Sequence, residues 1–158
     1  NSIIEIGEQC FSNCSGLTSF NIPNSVTKIG YRAFDNCPNL KTINVDSLNT
    51  NYASIDGVLY DKKVRNLIKF PDAKTFIDIP KTVVSIESFA FNNCNINNIL
   101  IPNPISVIKA YTFYNCTNLK SIILRSSITE IRDFAFYGCI EHTCRTRFFA
   151  FQKAFQVV

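Results

Sequence analysis

With 158 residues, 46% of them hydrophobic and 18% charged, the chain holds enough apolar material for one packed domain and is not a disordered tail. A net charge of +4, with Lys and Arg spread along the sequence, leaves no nucleic-acid footprint. No apolar run reaches the ~18 residues of a spanning helix. The chain has no Met and opens in mid-phrase with NSIIEIG, so a piece of a longer protein is expected.

From the first residues onward one phrase recurs: I-x-x-x-x-A-F-x-x-C-x-x-L-x-x-I-x-I-P. It places Phe11, Phe34, Phe91, Phe113 and Phe136, each followed three positions later by Cys14, Cys37, Cys94, Cys116 and Cys139. The cysteine steps are 23, 57, 22 and 23, the longest being one normal repeat plus one altered repeat of 34. A fixed period in this range is the signature of a solenoid, whose units bury their apolar faces only against each other. The predicted coils should stack Phe, Ile, Leu and Cys into ladders.

In chain order, LTSFNIP turns Leu17, Phe20 and Ile22 inward, and period-2 alternation turns Ser19 and Asn21 outward. Next, SVTKIG contributes Val26 and Ile29, and YRAF contributes Ala33 and Phe34. LKTINV repeats the strand with Leu40, Ile43 and Val45 inward and Thr42 and Asn44 outward. The long unit, 45–82, predicts an inserted β-hairpin, residues 54–60 against 65–70, with Asp56-Gly57 bending its start and Lys62, Lys63 and Arg65 at its tip. TFIDIP then resumes a regular strand with Ile77 and Ile79 inward and Phe76 and Asp78 outward. CNINNILIP is one residue short, so Ile96 takes the leucine place, and Asn98 and Leu100 face out. LKSIIL brings Ser121, Ile123 and Arg125 to the outer face. Residues 140–158 leave the pattern. Phe148, Phe151, Phe155 and Val158 suit a helix, while Phe149, Phe151, Phe155 and Val157 suit a strand face. A cap over the last coil is expected there, with a membrane- or partner-binding tail as the alternative.

The phrases IPNSVTKIGYRAFDNCPNLKTI and IDGVLYDKKVRNLIKFP resemble the BspA-like leucine-rich repeat family over residues 4 to about 139. That family occurs in surface proteins of oral and gut bacteria and in protists such as trichomonads. The resemblance implies a leucine-rich repeat solenoid of about six coils within 1–139. A curved parallel β-sheet would form its concave face, and short strands and irregular turns its convex side. It also implies a cell-surface or extracellular adhesion module whose ligand is a protein or glycan on host or neighbouring cells. An intracellular scaffold, in which seven reduced cysteines are unremarkable, is the alternative.

The remaining question is whether any side chains carry chemistry. Equivalent cysteines in stacked coils lie about 4.8 Å apart but point the same way, which is wrong for a relaxed disulfide. Buried filler is therefore expected for all five, and also for Cys10, which stands in the alanine place of AF. Cys144 lies outside the repeat and is the candidate for pairing between chains, with the apolar tail as a second route to self-association. Cys139, His142 and Cys144 lack a fourth ligand for a metal. A single histidine, no phosphate loop and no recurring carboxylate pair point to a non-enzymatic protein without a cofactor. Two sequons, at Asn13 and Asn115, follow from the repeat phrase itself, and in a secreted eukaryotic protein they would carry glycans on the turns. The candidate binding face is Ser19, Asn21, Thr42, Asn44, Phe76, Asp78, Asn98, Leu100, Ser121, Ile123 and Arg125. The basic hairpin tip is a second candidate, suited to acidic glycans.

Overall fold

The computed structural model describes residues 3–139, which form a parallel β-solenoid with no helix among them. The first coil carries β1 (Glu5–Ile6) on its convex side and β2 (Ser19–Ile22) on its concave side. The second carries β3 (Lys28–Ile29) and β4 (Thr42–Val45). Register is that of the repeat: Glu5 opposes Lys28, and Ser19 opposes Thr42. Strands this short cannot bury a face alone, so each gains its core only from the coil above and below. The inward side chains Ile22, Val26, Phe34, Leu40 and Ile43 are buried accordingly.

The long unit departs from the expected hairpin. β5 (Tyr52–Ile55) and β6 (Val58–Asp61) are antiparallel, with Ile55 opposite Val58. Asp56-Gly57 is thus the two-residue hairpin turn and not a bend before it. Both residues have positive φ, 49° and 72°, the geometry of a type I′ turn, for which Asp-Gly is a preferred pair. Gly57 is doubly required, since a Cβ there would sit 2.8 Å from the Thr42 side chain. β7 (Asn66–Lys69) then returns antiparallel to β6 and pairs on its other side, parallel, with β8 (Ser85–Ile86). The predicted first strand is therefore two strands, and the insertion is a three-stranded meander whose last member rejoins the convex column.

The meander also satisfies backbone groups that the missing regular strands would have served. The Tyr52 hydroxyl accepts the Ile29 N–H at 2.9 Å, the Gly57 carbonyl accepts the Ile43 N–H at 2.8 Å, and Ser54 Oγ accepts the Val45 N–H at 3.0 Å. Because β4's outer edge is already served in this way, residues 75–80 form no strand. They still bury Ile77 and Ile79 and expose Phe76 and Asp78. The solenoid continues with β9 (Asn98–Leu100), β10 (Val107–Ile108), β11 (Ser121–Ile123) and β12 (Glu130–Ile131), paired β9 with β11 and β10 with β12.

The predicted phenylalanine ladder runs Phe11–Phe34, then Phe91–Phe113–Phe136, with ring centroids 4.9–5.4 Å apart. Phe70, which the sequence register did not assign, supplies the long unit's rung and stacks on Phe91 at 5.0 Å. A second aromatic row follows the turns, where Phe89 stacks on Tyr111 and Tyr111 on Phe134. All three have positive φ, a conformation that costs a side-chain-bearing residue about 1–2 kcal/mol. Stacking at about 0.5–1.5 kcal/mol per pair offsets part of that.

Buried cysteine thiols donate to carbonyls of the preceding coil: Cys37 to Phe11 at 3.0 Å, Cys116 to Phe91 at 2.9 Å and Cys139 to Phe113 at 3.1 Å. The cysteine is thus a small apolar filler with one usable S–H. Cys10 departs from expectation, being exposed, and Cys14 is only partly buried, because no coil within the described residues covers the first. Burial pushes the Cys37 and Cys94 thiols up, which disfavours the reactive thiolate. Among the described cysteines, only Cys10 and Cys14 are expected to react with an aromatic disulfide reagent before denaturant is added. Rapid native-state labelling of Cys94 or Cys116, read by mass spectrometry, would contradict the buried ladder.

Candidate functional site

The alternation that buries the ladders sets every member of the predicted face outward. Ser19, Asn21, Asn44, Asp78, Asn98 and Arg125 are exposed, and Thr42 and Ser121 are half-buried, Thr42 because Gly57 lies against it. The large apolar members are open to solvent at 68% for Phe76, 43% for Leu100 and 51% for Ile123. The meander and the strandless residues 75–80 divide this face into two patches of different chemistry.

The β2–β4 patch is polar. Asn21 and Asn44 oppose each other, and the Asn44 amide donates to the Asn21 carbonyl oxygen at 3.1 Å. A depression of about 400 Å³ at its end is lined by Asn24, Asp46 and Pro23 among others. The β9–β11 patch is amphiphilic. Leu100 opposes Ile123, Asn98 opposes Ser121, and the Ser121 hydroxyl donates to Asn98 at 2.7 Å. Beside them a cavity of about 420 Å³ has Ile79, Leu100 and Pro102 as apolar walls and Asp78, Lys81 and Arg125 as charged ones. Lys81 and this cavity went unnoticed in the sequence, although the Ile-Pro pairs at 79–80 and 101–102 mark the position.

Lys62, Lys63 and Arg65 are exposed in the turn between β6 and β7, where Asp61 Oδ1 accepts the backbone N–H groups of Arg65 and Asn66 at 2.7 Å. The Arg65 carbonyl in turn accepts from Val84 and Ser85, which docks the tip against the loop after Lys81. Asn13 and Asn115 occupy the left-handed position of the repeat turn, as do Asn36 and Asn93. Asparagine tolerates that conformation, so its recurrence has a backbone cause independent of any glycan. Asn36 also donates to Asn13 at 2.6 Å. Cys144, His142 and the tail at 140–158 lie outside the described residues. Among those described, no three His, Cys, Asp or Glu side chains are grouped to hold a metal, and no helix is long and apolar enough to cross a membrane.

A family model described as "BspA type Leucine rich repeat region (6 copies)" matches residues 1–72 and 70–146. No curated protein matches the chain. Among solved structures, the pneumococcal vaccine antigen PcpA is similar at 25% identity and a TM-score of 0.75, over 88% of this chain and 41% of that one. A leucine rich cell surface protein from Faecalibacterium prausnitzii is 32% identical, with a TM-score of 0.67 over 87% and 43%. A leucine-rich repeat protein from Eubacterium ventriosum is 26% identical, with a TM-score of 0.65 over 84% and 46%. The chain spans less than half the length of each. Proteins of this repeat type are generally non-enzymatic scaffolds and commonly bind proteins. The match covers most of the chain, the coil count agrees, and the ladders stand where the repeat phrase requires them, so this chain belongs to the BspA-type leucine-rich repeat family.

Proposed function

We propose that the chain is a non-enzymatic protein-binding module displayed on a cell surface, adhering to host cells, matrix or neighbouring cells through its strand face. The observation that carries this reading is the exposure of Phe76, Leu100 and Ile123 amid Asn98, Ser121 and Asp78. Large apolar side chains in a polar field are the usual composition of a protein-binding surface, in which a few anchors supply most of the energy. The cell-surface protein and the vaccine antigen among the similar structures support display at the surface.

The test is binding of the labelled protein to mammalian cells and immobilised matrix proteins, beside a Phe76→Ser/Leu100→Ser/Ile123→Ser variant. All three side chains point away from the core, so each substitution should change stability by no more than about 0.5 kcal/mol. Saturable binding by the parent and its loss in the variant is the expected result. Unchanged binding would move the site off this face, and binding no better than that of an unrelated solenoid would favour an intracellular scaffold.

A further inference from the structure

Resting on the reading of the strand face as a protein-binding surface, we infer that its partner is an acidic polypeptide segment. Apolar side chains of that segment sit on Leu100 and Ile123, and its carboxylates lie between Lys120, Lys81 and Arg125. The placement of charge at this patch supports this. Of the six ion pairs among the described residues, Glu5–Lys28, Glu87–Lys109 and Glu130–Arg132 lie on or directly after the convex strands, Arg32–Asp35 in a turn and Lys69–Asp72 in the interior. Only Lys74–Asp56 borders the strand face. Seven exposed cations form no ion pair among the described residues: Lys62, Lys63 and Arg65 at the hairpin tip, Lys41 before β4, and Lys81, Lys120 and Arg125 around the amphiphilic patch.

The placement of Lys81, Lys120 and Arg125 gives the partner a shape. Arg125 follows β11 by two residues with the outward parity of Ser121 and Ile123, and Lys120 stands exposed at the entry to the same strand. Five residues of extended chain span about 16 Å. Lys81 shares the 420 Å³ cavity with Arg125, and the carboxylate that opposes them there is Asp78. A peptide lying along β11 would meet Lys120 at the rim of the strand's entry, then the aliphatic surface, then Arg125 with Lys81 beside it. That order matches acidic residues four or five positions apart with an apolar residue between. Leu100 and Ile123 offer nothing to the hydroxyls of a sulfated polysaccharide, whereas an apolar peptide side chain gains by removing them from water. Unpaired cations around such a centre also steer an anionic partner and exclude a basic one.

The probe is a fluorescein-labelled peptide of four Glu-Ser-Leu-Ser repeats, read by anisotropy against the full chain. Peptides of four Lys-Ser-Leu-Ser and four Glu-Ser-Ser-Ser repeats, and heparin, run beside it. The expected result is saturable binding of the first peptide alone. Its affinity should fall about tenfold or more in Lys120→Ser/Arg125→Ser, in Leu100→Ser/Ile123→Ser, and on raising salt from ~50 to ~500 mM. Equal binding of the lysine peptide, or indifference to the charge variant, would overturn the inference. Heparin binding that needs Lys120 and Arg125 but not Leu100 and Ile123 would replace the peptide with a sulfated polysaccharide. Cell binding that depends on Leu100 and Ile123, with no acidic peptide bound, would remove this inference and leave the protein-binding reading standing. Loss of both would remove both.

Discussion

Asp72→Leu is expected to destabilise the protein by about 3–5 kcal/mol, while Lys69→Met/Asp72→Leu should recover most of that loss. Three positions after Phe70, where the other coils carry cysteine, the long unit has Ala73, and Asp72 beside it is fully buried, with Lys69 at 7% exposure 2.7 Å away. Asp72 also accepts the Cys37 N–H at 2.8 Å and lies 3.7 Å from the Cys94 thiol, joining the coils on either side. Burial pulls the Lys69 ammonium down, but the carboxylates of Asp72 and Asp35 outweigh it, so lysine keeps its proton. Removing Asp72 alone leaves that ammonium buried without its partner. Removing both leaves only the Cys37 N–H unsatisfied, a cost of about 1–3 kcal/mol. Denaturant unfolding of the two single variants and the double variant measures the coupling. Additive losses would mean that the pair acts as two independent charges and would sink the argument.

The second large effect is expected at the middle of the phenylalanine ladder. Phe113→Ala should cost about 3–5 kcal/mol. The ring is fully buried between Phe91 and Phe136, at 4.9 and 5.3 Å, so its loss opens a cavity with close-packed neighbours on both sides. Phe11 holds the same place in the first coil but is only partly buried, stacking on Phe34 at 5.4 Å. Phe11→Ala should therefore lose clearly less. Equal losses in urea titrations of the two variants would contradict nearest-neighbour stacking as the source of stability.

The inward residues of the regular coils were legible because they obey local rules. Alternation over four positions places Ser19 and Asn21 on one face and Phe20 and Ile22 on the other, whatever lies elsewhere in the chain. Repetition every 22 or 23 residues then stacks like on like, which gives the phenylalanine and cysteine ladders and the outward set from Ser19 to Arg125. What this face binds was not legible, since the same alternation would serve any ligand. The presence of an insertion was also readable, because Asp-Gly and the break in period are local signals.

Tertiary structure decided the rest, and the reason is distance along the chain. Asn92 donates to Asp35 at 2.6 Å and Asn93 to Asn36 at 3.4 Å, so the turns of coils 57 residues apart touch directly around the long unit. With that closure go Phe70 as a rung, Ala73 in the cysteine place with the buried pair Asp72 and Lys69 beside it, and Asp56-Gly57 closing a hairpin against Thr42. The two patches of the strand face follow from it as well. The sequence by itself determined which residues face in and out within each coil, since that depends on neighbours two positions away. How the irregular coil is filled, and with what charges, depended on which groups were left needing a partner once the regular coils had closed around it.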